Sequence, residues 1–492
     1  MQKFLMIQNP GIAPVESYTL LGVSLTRDCG VDGTIGQFAS GAKNAIALLL
    51  RQGLTPIVYC GKQRLEFSVK KHTVDDGIRS KDFGKIHCKI SGEKPDGGTI
   101  NRTVSLGFTV EMGESDWTNL NMALREFVSN AIDHTLRNGM DFAKAIKDEE
   151  LVVDLVDENQ VRAKNGGKHT RIFVEATPEI IKFFAELPLR FLHFSHPEWV
   201  TTHRILPKMG SLDGTNTAMI YKQGVFVRQV GEGDEQVASL FNYNFGTDFR
   251  LDECRNASDY EVKSQAGRCL SLAEPDILAE VFRSLVKMEA TWESKFDSSD
   301  LSPRYEWDEN KKKKRQENWH KGWDTALGSK TILCREGHQA TERVAKKGHT
   351  VAAVKADCQW MEAAERLGTI PTPLLVLNEN EHKGRELLPP TTAATEAVDI
   401  VWDWIALQGR TNGKQKPAIG CFKDTTEGEV ITFGFYDSSE KKCYFEEGHA
   451  SGMNKALLRT AVEELVHHLT GSTDCSRDFQ NFVIDLLVDI IT

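Results

Sequence analysis

The chain has no run of about 18 uncharged apolar residues, the length a membrane-spanning helix needs, so nothing in it reads as an integral membrane protein. It also lacks a signal-like start. The apolar stretch of MQKFLMIQNPGIAP is cut short by Gln8, Asn9 and Pro10, which predicts a cytoplasmic protein. No Cys-x-x-Cys pair occurs among the ten cysteines scattered from Cys29 to Cys475. That absence argues against a zinc ribbon and, without a signal, against a disulfide framework, leaving buried or inert thiols. Positive charge is in deficit too. A formal net charge of -10 opposes a generic phosphate-backbone binder and gives no indication of direct nucleic-acid binding, although a local basic groove stays open. The one evident basic run, Lys311 to Arg315, is flanked by Asp308, Glu309 and Glu317 and reads as a solvated linker or helix face. Internal repeats and extended low-complexity tracts are also missing.

What is present is ordinary globular composition, with 40% apolar and 26% charged residues spread over 492 positions, enough for about three domains. From Thr34 the sequence passes from small residues into an apolar helical pattern, then reaches Gly53 and the strand-like TPIVYCG. Strand candidates RLEFSV, KIHCKIS and TVSLGFTVEM precede a helix from about Trp117 to Asn138, and ELVVDLV and TRIFVEA close a mixed domain over residues 1–185. A second domain, residues 186–296, carries the strand-like AMIYKQGVFVRQV and a helix from Pro275 to Phe296. Residues 297–380 read as a polar linker (297–320) and a small βαβ subdomain built on KTILC, TVAAVKAD and TPLLVL. Residues 381–492 supply a helix, the strands EVITFGFYD and KCYFEEG, and a long helix from Asn454 to Thr470. The fold class is α+β and multi-domain.

Two segments carry chemistry. In LREFVSNAIDH, Glu126, Asn130 and Asp133 are spaced by four and three, which puts them on one helix face. A nucleotidase needs a carboxylate to deprotonate water and an oxygen ligand for magnesium, and Glu126 and Asn130 suit those two tasks. An amphipathic helix with a polar outer face is the plain alternative. In GQFASGAK, Gly36 and Gly41 let backbone N–H groups approach an anion, the helix that follows adds its positive end, and Lys43 adds a charge. The order is not that of a P-loop.

Together the segments resemble the GHKL, or Bergerat-fold, ATPases, which include gyrase, MutL, histidine kinases and the large heat-shock chaperones. The helix pattern E-x-x-x-N-x-x-D is matched by Glu126, Asn130 and Asp133, and the lid pattern G-x-F-G-x-G-x-K by Gly36, Phe38, Gly41 and Lys43, with Ala39 in place of the middle glycine. The resemblance implies an α/β sandwich binding ATP and magnesium, Glu126 as general base, Asn130 on the metal, and nucleotide contacts from Asp133 and from Gly36, Gln37, Phe38, Ser40, Gly41 and Lys43. The lid motif here precedes the Glu/Asn helix, so the ATP domain reads as circularly permuted. The family's adenine motif D-x-G-x-G is missing after TRIFVEA, leaving Glu175, Asp28 or Asp32 to contact the base.

KQGVFVRQV followed by FNYNFGTDFRLDECRNASD is similar to the middle domain of the heat-shock ATPases, which implies that Arg255 is a catalytic arginine meeting the γ-phosphate. A surface salt bridge to Asp252, Glu253 or Asp259 is the alternative. The order of motifs resembles the rIIA-like ATP-binding proteins of bacteriophages, implying a protein of the bacterial host cytoplasm engaged in phage–host or phage–phage conflict. In that setting ATP drives a conformational clamp, a homodimer forms and an unidentified protein is the partner.

The last helix carries Glu463, Glu464, His467 and His468, with Asp474 beyond Gly471. This resembles a degenerate HExxH zincin helix, in which Glu463, His467 and Asp474 would be zinc ligands and Glu464 the base, with KCYFEEG as the edge strand. Two carboxylates and one imidazole hold zinc less selectively than two imidazoles, so a peptidase-like domain that has lost activity is expected. A buried or capping histidine pair is the alternative. Three functions are therefore open: an ATP-driven clamp, a nucleotide-binding interaction protein that does not hydrolyse, and a metal-dependent peptidase with an ATP-type regulatory half.

Overall fold

The computed structural model describes residues 2–22, 34–35, 40–94, 96–230, 237–252, 255–303, 308–337, 341, 344–345, 348–373, 376, 385–411, 413–424, 433–438, 440–471 and 480–485. The chain divides into two compact units, Met1–Thr372 and Pro373–Thr492.

The first unit begins with β1 (Lys3–Pro10), the short α1 (Glu16–Thr19) and α2 (Gly41–Arg51). Next come β2 (Ile57–Cys60), β3 (Gln63–Asp75), β4 (Ser80–Glu93), β5 (Thr99–Thr109), α3 (Leu120–Arg137), α4 (Phe142–Lys147), β6 (Val152–Asp157), β7 (His169–Glu175) and α5 (Pro178–Ala185). The strands make one antiparallel sheet ordered β5-β4-β3-β2-β7-β1-β6. One face packs on α2 and α3: Ala45, Ile46, Leu48 and Leu49 meet Leu124, Phe127, Val128 and Ile132 over Leu5, Ile7, Ile172 and Val174. Each such side chain contributes about 1.5–3 kcal/mol on burial, before conformational entropy is subtracted. Met6, Tyr59, Val156 and Phe173 form a smaller apolar cluster on the other side. With apolar residues on both of its faces, β1 shows no alternation, which is why KFLMIQNP gave no strand signal.

The same unit continues through α6 (Leu187–Arg190), α7 (Trp199–Thr202), β8 (Ile205–Leu206), β9 (Met219–Lys222), β10 (Val225–Gln229) and β11 (Asn242–Phe245). Then follow α8 (Asp259–Ser271), α9 (Pro275–Val286), α10 (Ser298–Leu301), α11 (Glu309–Leu327), β12 (Thr331–Arg335), β13 (Thr350–Val354) and α12 (Gln359–Leu367). The second sheet runs β10-β9-β11-β8, and β12 and β13 form a parallel pair.

Four expectations need correction. Residues 186–296 and 297–380 do not form separate cores, because Trp319, Trp323, Leu333, Val354 and Trp360 are buried in one cluster with Tyr243, Phe282 and Phe296. The supposed linker is largely α11, whose lysines face water while Trp319 and Trp323, one turn apart, are fully buried. Their indole N–H groups donate to the carbonyls of Ser271 (3.1 Å) and Thr331 (2.8 Å). The helix begun at Pro275 stops at Val286, where Met288 turns to φ 56°, short of Phe296. At TPLLVL the described residues Pro373 and Val376 are helical, so among the described residues this segment shows no third strand of the βαβ reading.

The second unit contains β14 (Arg385–Leu388), α13 (Thr392–Leu407), β15 (Ala418–Asp424), β16 (Gly434–Asp437), β17 (Lys442–Glu446) and α14 (Lys455–Thr470). Its sheet is ordered β14-β15-β17-β16, so KCYFEEG is an interior strand, parallel to β15, and not the expected edge. Cys443 and Phe445 face the helices and Tyr444 is buried on the opposite face, which suits a strand covered on both sides. The architecture is mixed α+β over more than one unit. Among the described residues no helix is long and apolar enough to cross a membrane.

Candidate functional site

α3 positions the central carboxylate. Its start is capped by the Asn119 side chain, which accepts from the Asn121 amide at 2.8 Å, and it ends where Gly139 adopts φ 69°. Helical spacing then turns Glu126 and Asp133 inward, 6% and 0% exposed, with Asn130 half-buried between them. Asp133 accepts a 2.6 Å hydrogen bond from the Ile35 amide, anchoring the chain just before the Gly36–Ala39 part of the lid motif. Gly36, Gln37, Phe38 and Ala39 themselves lie outside the described residues.

The far end of that motif is in place. Gly41 opens α2 directly against Glu126: a Cβ built there would stand 2.3 Å from Glu126 Oε2. Lys43, in the first turn, is 1% exposed, and burial lowers its pKa to about 8. The amides of Lys43 and Asn44 both donate to the Ser40 carbonyl at 3.0 Å.

Arg255 arrives from the second core cluster. Its Nε donates to Glu126 Oε1 at 2.6 Å, with both side chains nearly out of solvent. The backbone is strained to deliver it, since Arg255 sits at φ 62°, a left-handed conformation that costs a non-glycine residue of order 1–3 kcal/mol. A tight turn holds it there, with the Arg255 amide on the Asp252 carbonyl (2.9 Å) and the Asn256 amide on the Asp252 carboxylate (2.7 Å). The surface partners considered from sequence are otherwise engaged: Asp252 closes this turn and Asp259 pairs with Arg228 at 2.6 Å. Glu253 lies outside the described residues.

Beside Arg255 stands a residue that sequence reasoning missed. Lys222, at the tip of the β9–β10 hairpin, is 5% exposed and its Nζ has no hydrogen-bond partner. Burial is the main force lowering its pKa to about 8, the nearby Arg255 adds to it, and Asp248 opposes it. Lys222, Gln223, Leu251, Ile35 and Arg255 line a narrow cavity of about 10 Å³, room for about one water. The hairpin turns through Gln223 (φ 49°) and Gly224 (φ 77°), and Gly224 packs on His193 so closely that a Cβ would meet its Cε1 at 2.8 Å. His193 is fully buried with neither ring nitrogen paired, so burial lowers its pKa to about 3 and it stays neutral. Nothing in YKQG beyond turn chemistry marks Lys222, because its burial depends on the docking of the whole hairpin.

On the other side of Phe226 and Val227 a larger cleft, about 380 Å³, runs from Arg125 next to Glu126 to Asn256 next to Arg255, within the size range of small-ligand sites. Glu175 is the exposed last residue of β7, and Asp28 and Asp32 lie outside the described residues.

Gly41→Ala is expected to leave the fold intact but displace the Glu126 carboxylate and its bond to Arg255. Since the clash is with a side-chain end, melting should shift by only a few degrees while any reaction that depends on the Glu126 carboxylate slows about tenfold or more. Equal activity in the two proteins would show that the carboxylate is not fixed by this glycine.

In the C-terminal constellation the described side chains take separate roles. Glu463 faces outward and pairs with Arg459 at 3.2 Å, Glu464 is buried and His467 half-buried. His468 is buried between the Tyr436 hydroxyl (2.9 Å) and the Gln415 carbonyl (2.8 Å), a structural tie whose burial lowers the imidazole pKa. Asp474 lies outside the described residues, among which no group of three histidines, cysteines or carboxylates is disposed to hold a metal.

The chain matches no protein-family model, no curated protein and no solved structure.

Proposed function

We propose that the first unit binds Mg·ATP at the junction of Glu126 and Arg255 and hydrolyses it, as a GHKL-type ATPase. One observation carries this reading: a buried carboxylate in mid-helix is gripped by an arginine delivered from another core cluster, beside a helix start whose glycine leaves no room for a side chain. Glu126 takes a proton from the water that attacks the γ-phosphorus as the bond to the ADP oxygen breaks. Asn130, which enters no side-chain hydrogen bond among the described residues, holds the magnesium ion. The segment from Gly36 through Gln37, Phe38 and Ser40 to Gly41 offers backbone amides, and Lys43 and Arg255 meet the phosphate charge.

In the present state Arg255 occupies Glu126, and the adjoining cavity is too small for a phosphate. The terminal phosphate replaces the carboxylate as the partner of Arg255, which frees the base and couples nucleotide to the position of the β9–β10 region. That coupling is the clamp motion, and a homodimer and an rIIA-like role in a phage-infected cell are proposed with it from the order of the motifs. The same ion pair favours a second reading, a nucleotide-binding protein that does not turn over, since the base is held by a cation.

Melting and phosphate release measured together decide between them. Stabilisation by Mg·ATP with steady release supports the ATPase, because a ligand of the folded state raises its stability. Stabilisation without release supports the second reading, and neither effect overturns both.

A further inference from the structure

The end of the large sheet carries a feature that the nucleotide reading does not use. β5 accompanies β4 as far as Lys85, and just beyond it the Val110 amide still donates to the Gly84 carbonyl (2.9 Å), so past Lys71 and Gly84 the β3–β4 ribbon pairs with itself alone. A bare two-stranded ribbon is marginal in water. The exposed ribbon ends in a turn in which the Asp76 carboxylate accepts the amides of Ile78 and Arg79, both at 2.9 Å. Ile78 stands at the tip, 93% exposed.

The two faces of the ribbon differ in charge. Leu65, Phe67, Ile86, Cys88 and Ile90 face the core, and that face continues outward with Lys71 paired to Asp82 at 2.7 Å. Register places Lys70 opposite Lys85, Val74 opposite Lys81, His72 opposite Phe83, Ser68 opposite His87 and Glu66 opposite Lys89 on the outer face. Like charges directly across a ladder are destabilising, so the Lys70–Lys85 pair opposes folding of the ribbon. Among the described residues Lys70, Arg79 and Lys85 form no ion pair with a carboxylate, while Glu111 lies close enough to Lys81 to feel its charge and Glu66 is shared between Arg64 (2.9 Å) and Lys89 (4.0 Å). The lysine run of α11 is the contrast: Lys311, Lys312, Lys313 and Lys314 each stand within 4.0 Å of a carboxylate, on Asp308, Glu309, Glu317 and Glu274.

We propose that the outer face of the β3–β4 ribbon binds the phosphate backbone of double-stranded DNA, with Ile78 at the tip as an apolar wedge toward the bases. A two-stranded ribbon fits the major groove of B-DNA, whereas that of duplex RNA is too narrow. Single strands are held by rows of stacking aromatics, and here Phe83 is alone and already lies under Lys81. A lipid surface would meet only the tip, yet the cations run along the length of the ribbon. In the major groove an apolar side chain such as Ile78 can meet a thymine methyl group. The proposal stands independently of ATP binding, and it places local basic charge on a chain whose net charge is -10.

The test is anisotropy of a fluorescein-labelled duplex of mixed sequence, about 30 base pairs, titrated with the full chain. With about four phosphates neutralised, affinity should fall about a hundredfold between 50 and 200 mM salt. Lys70→Glu with Lys85→Glu should weaken binding about tenfold or more and flatten the salt slope by about 2, while Lys311→Glu with Lys313→Glu leaves both unchanged. Wild-type protein that ignores the duplex, a ribbon variant that binds it as well as wild type, or equal losses in the two variants would overturn the proposal. So would capture on phosphatidylserine vesicles with no duplex binding. Circular dichroism of each variant confirms that these surface changes leave the fold intact.

Discussion

Glu126→Gln is expected to lower ATP turnover by about 10²- to 10⁴-fold, the usual worth of a positioned general base, while Mg·ATP binding persists. Glutamine keeps an acceptor for Arg255 Nε at the 2.6 Å contact but cannot take a proton from water. The variant will also be less stable, because it leaves the Arg255 charge buried without its counter-charge. Removing one partner of a buried pair costs about 3–5 kcal/mol at worst, and the retained hydrogen bond reduces that. A second protein separates the two effects: Arg255→Met in the Glu126→Gln background removes the stranded cation and should recover much of the lost melting temperature without restoring turnover. Unchanged turnover in Glu126→Gln would rule out its role as base. Recovery of activity in the double variant would assign the pair to stability alone.

Lys222→Met is expected to move stability and ligand binding in opposite directions. Lys222 is 5% exposed and its buried ammonium is unpaired, so an apolar side chain of similar length should raise the melting temperature. In the proposed nucleotide complex the ammonium beside Arg255 gives the phosphate a charge-assisted contact worth about 1.5–3 kcal/mol, so without it affinity for pyrophosphate or ATP should fall about 10- to 100-fold. A residue buried for structure alone would show no such trade.

The pH dependence follows from the same groups. Burial lowers Lys43 and Lys222 from the ordinary lysine value of 10.5 to about 8. Between about pH 8 and 10.5 the unfolded chain therefore holds more protons than the folded one, and the contribution of these groups to stability rises with pH across that window. A bound phosphate favours the ammonium form, so anion affinity should be highest below about pH 8 and decline above it. Isothermal titration with pyrophosphate from pH 6.5 to 9.5 measures this, and Lys222→Met should show a shallower decline.

Much of the first unit was readable before any coordinates. RLEFSV and KIHCKIS became β3 and β4 because their apolar residues alternate and one face of each packs on the helices, whereas the consecutive Ile172, Phe173 and Val174 of TRIFVEA are buried on both faces of β7. KFLMIQNP escaped notice because it is covered on both sides, and Trp319 and Trp323 were hidden among lysines whose exposed positions dominate the composition of α11. KCYFEEG was recognised as a strand but placed at the edge, since strand order depends on pairings that leave no mark within the segment. A charge total of -10 says nothing of how Lys70, Lys81 and Lys85 come to share one face.

For the candidate site, the sequence by itself determined what a helix repeat can enforce. The 3.6-residue turn puts Glu126, Asn130 and Asp133 on one side of α3, and the glycine that opens α2 is legible as a place without a side chain. Tertiary structure alone decided that Gly41 touches Glu126, that Arg255 reaches the same carboxylate from another core cluster, and that Lys222 is sealed beside them without a partner. Local periodicity constrains which way a side chain points along its own element. Which buried groups meet, and what burial does to their charge, is set by packing between elements far apart in the chain.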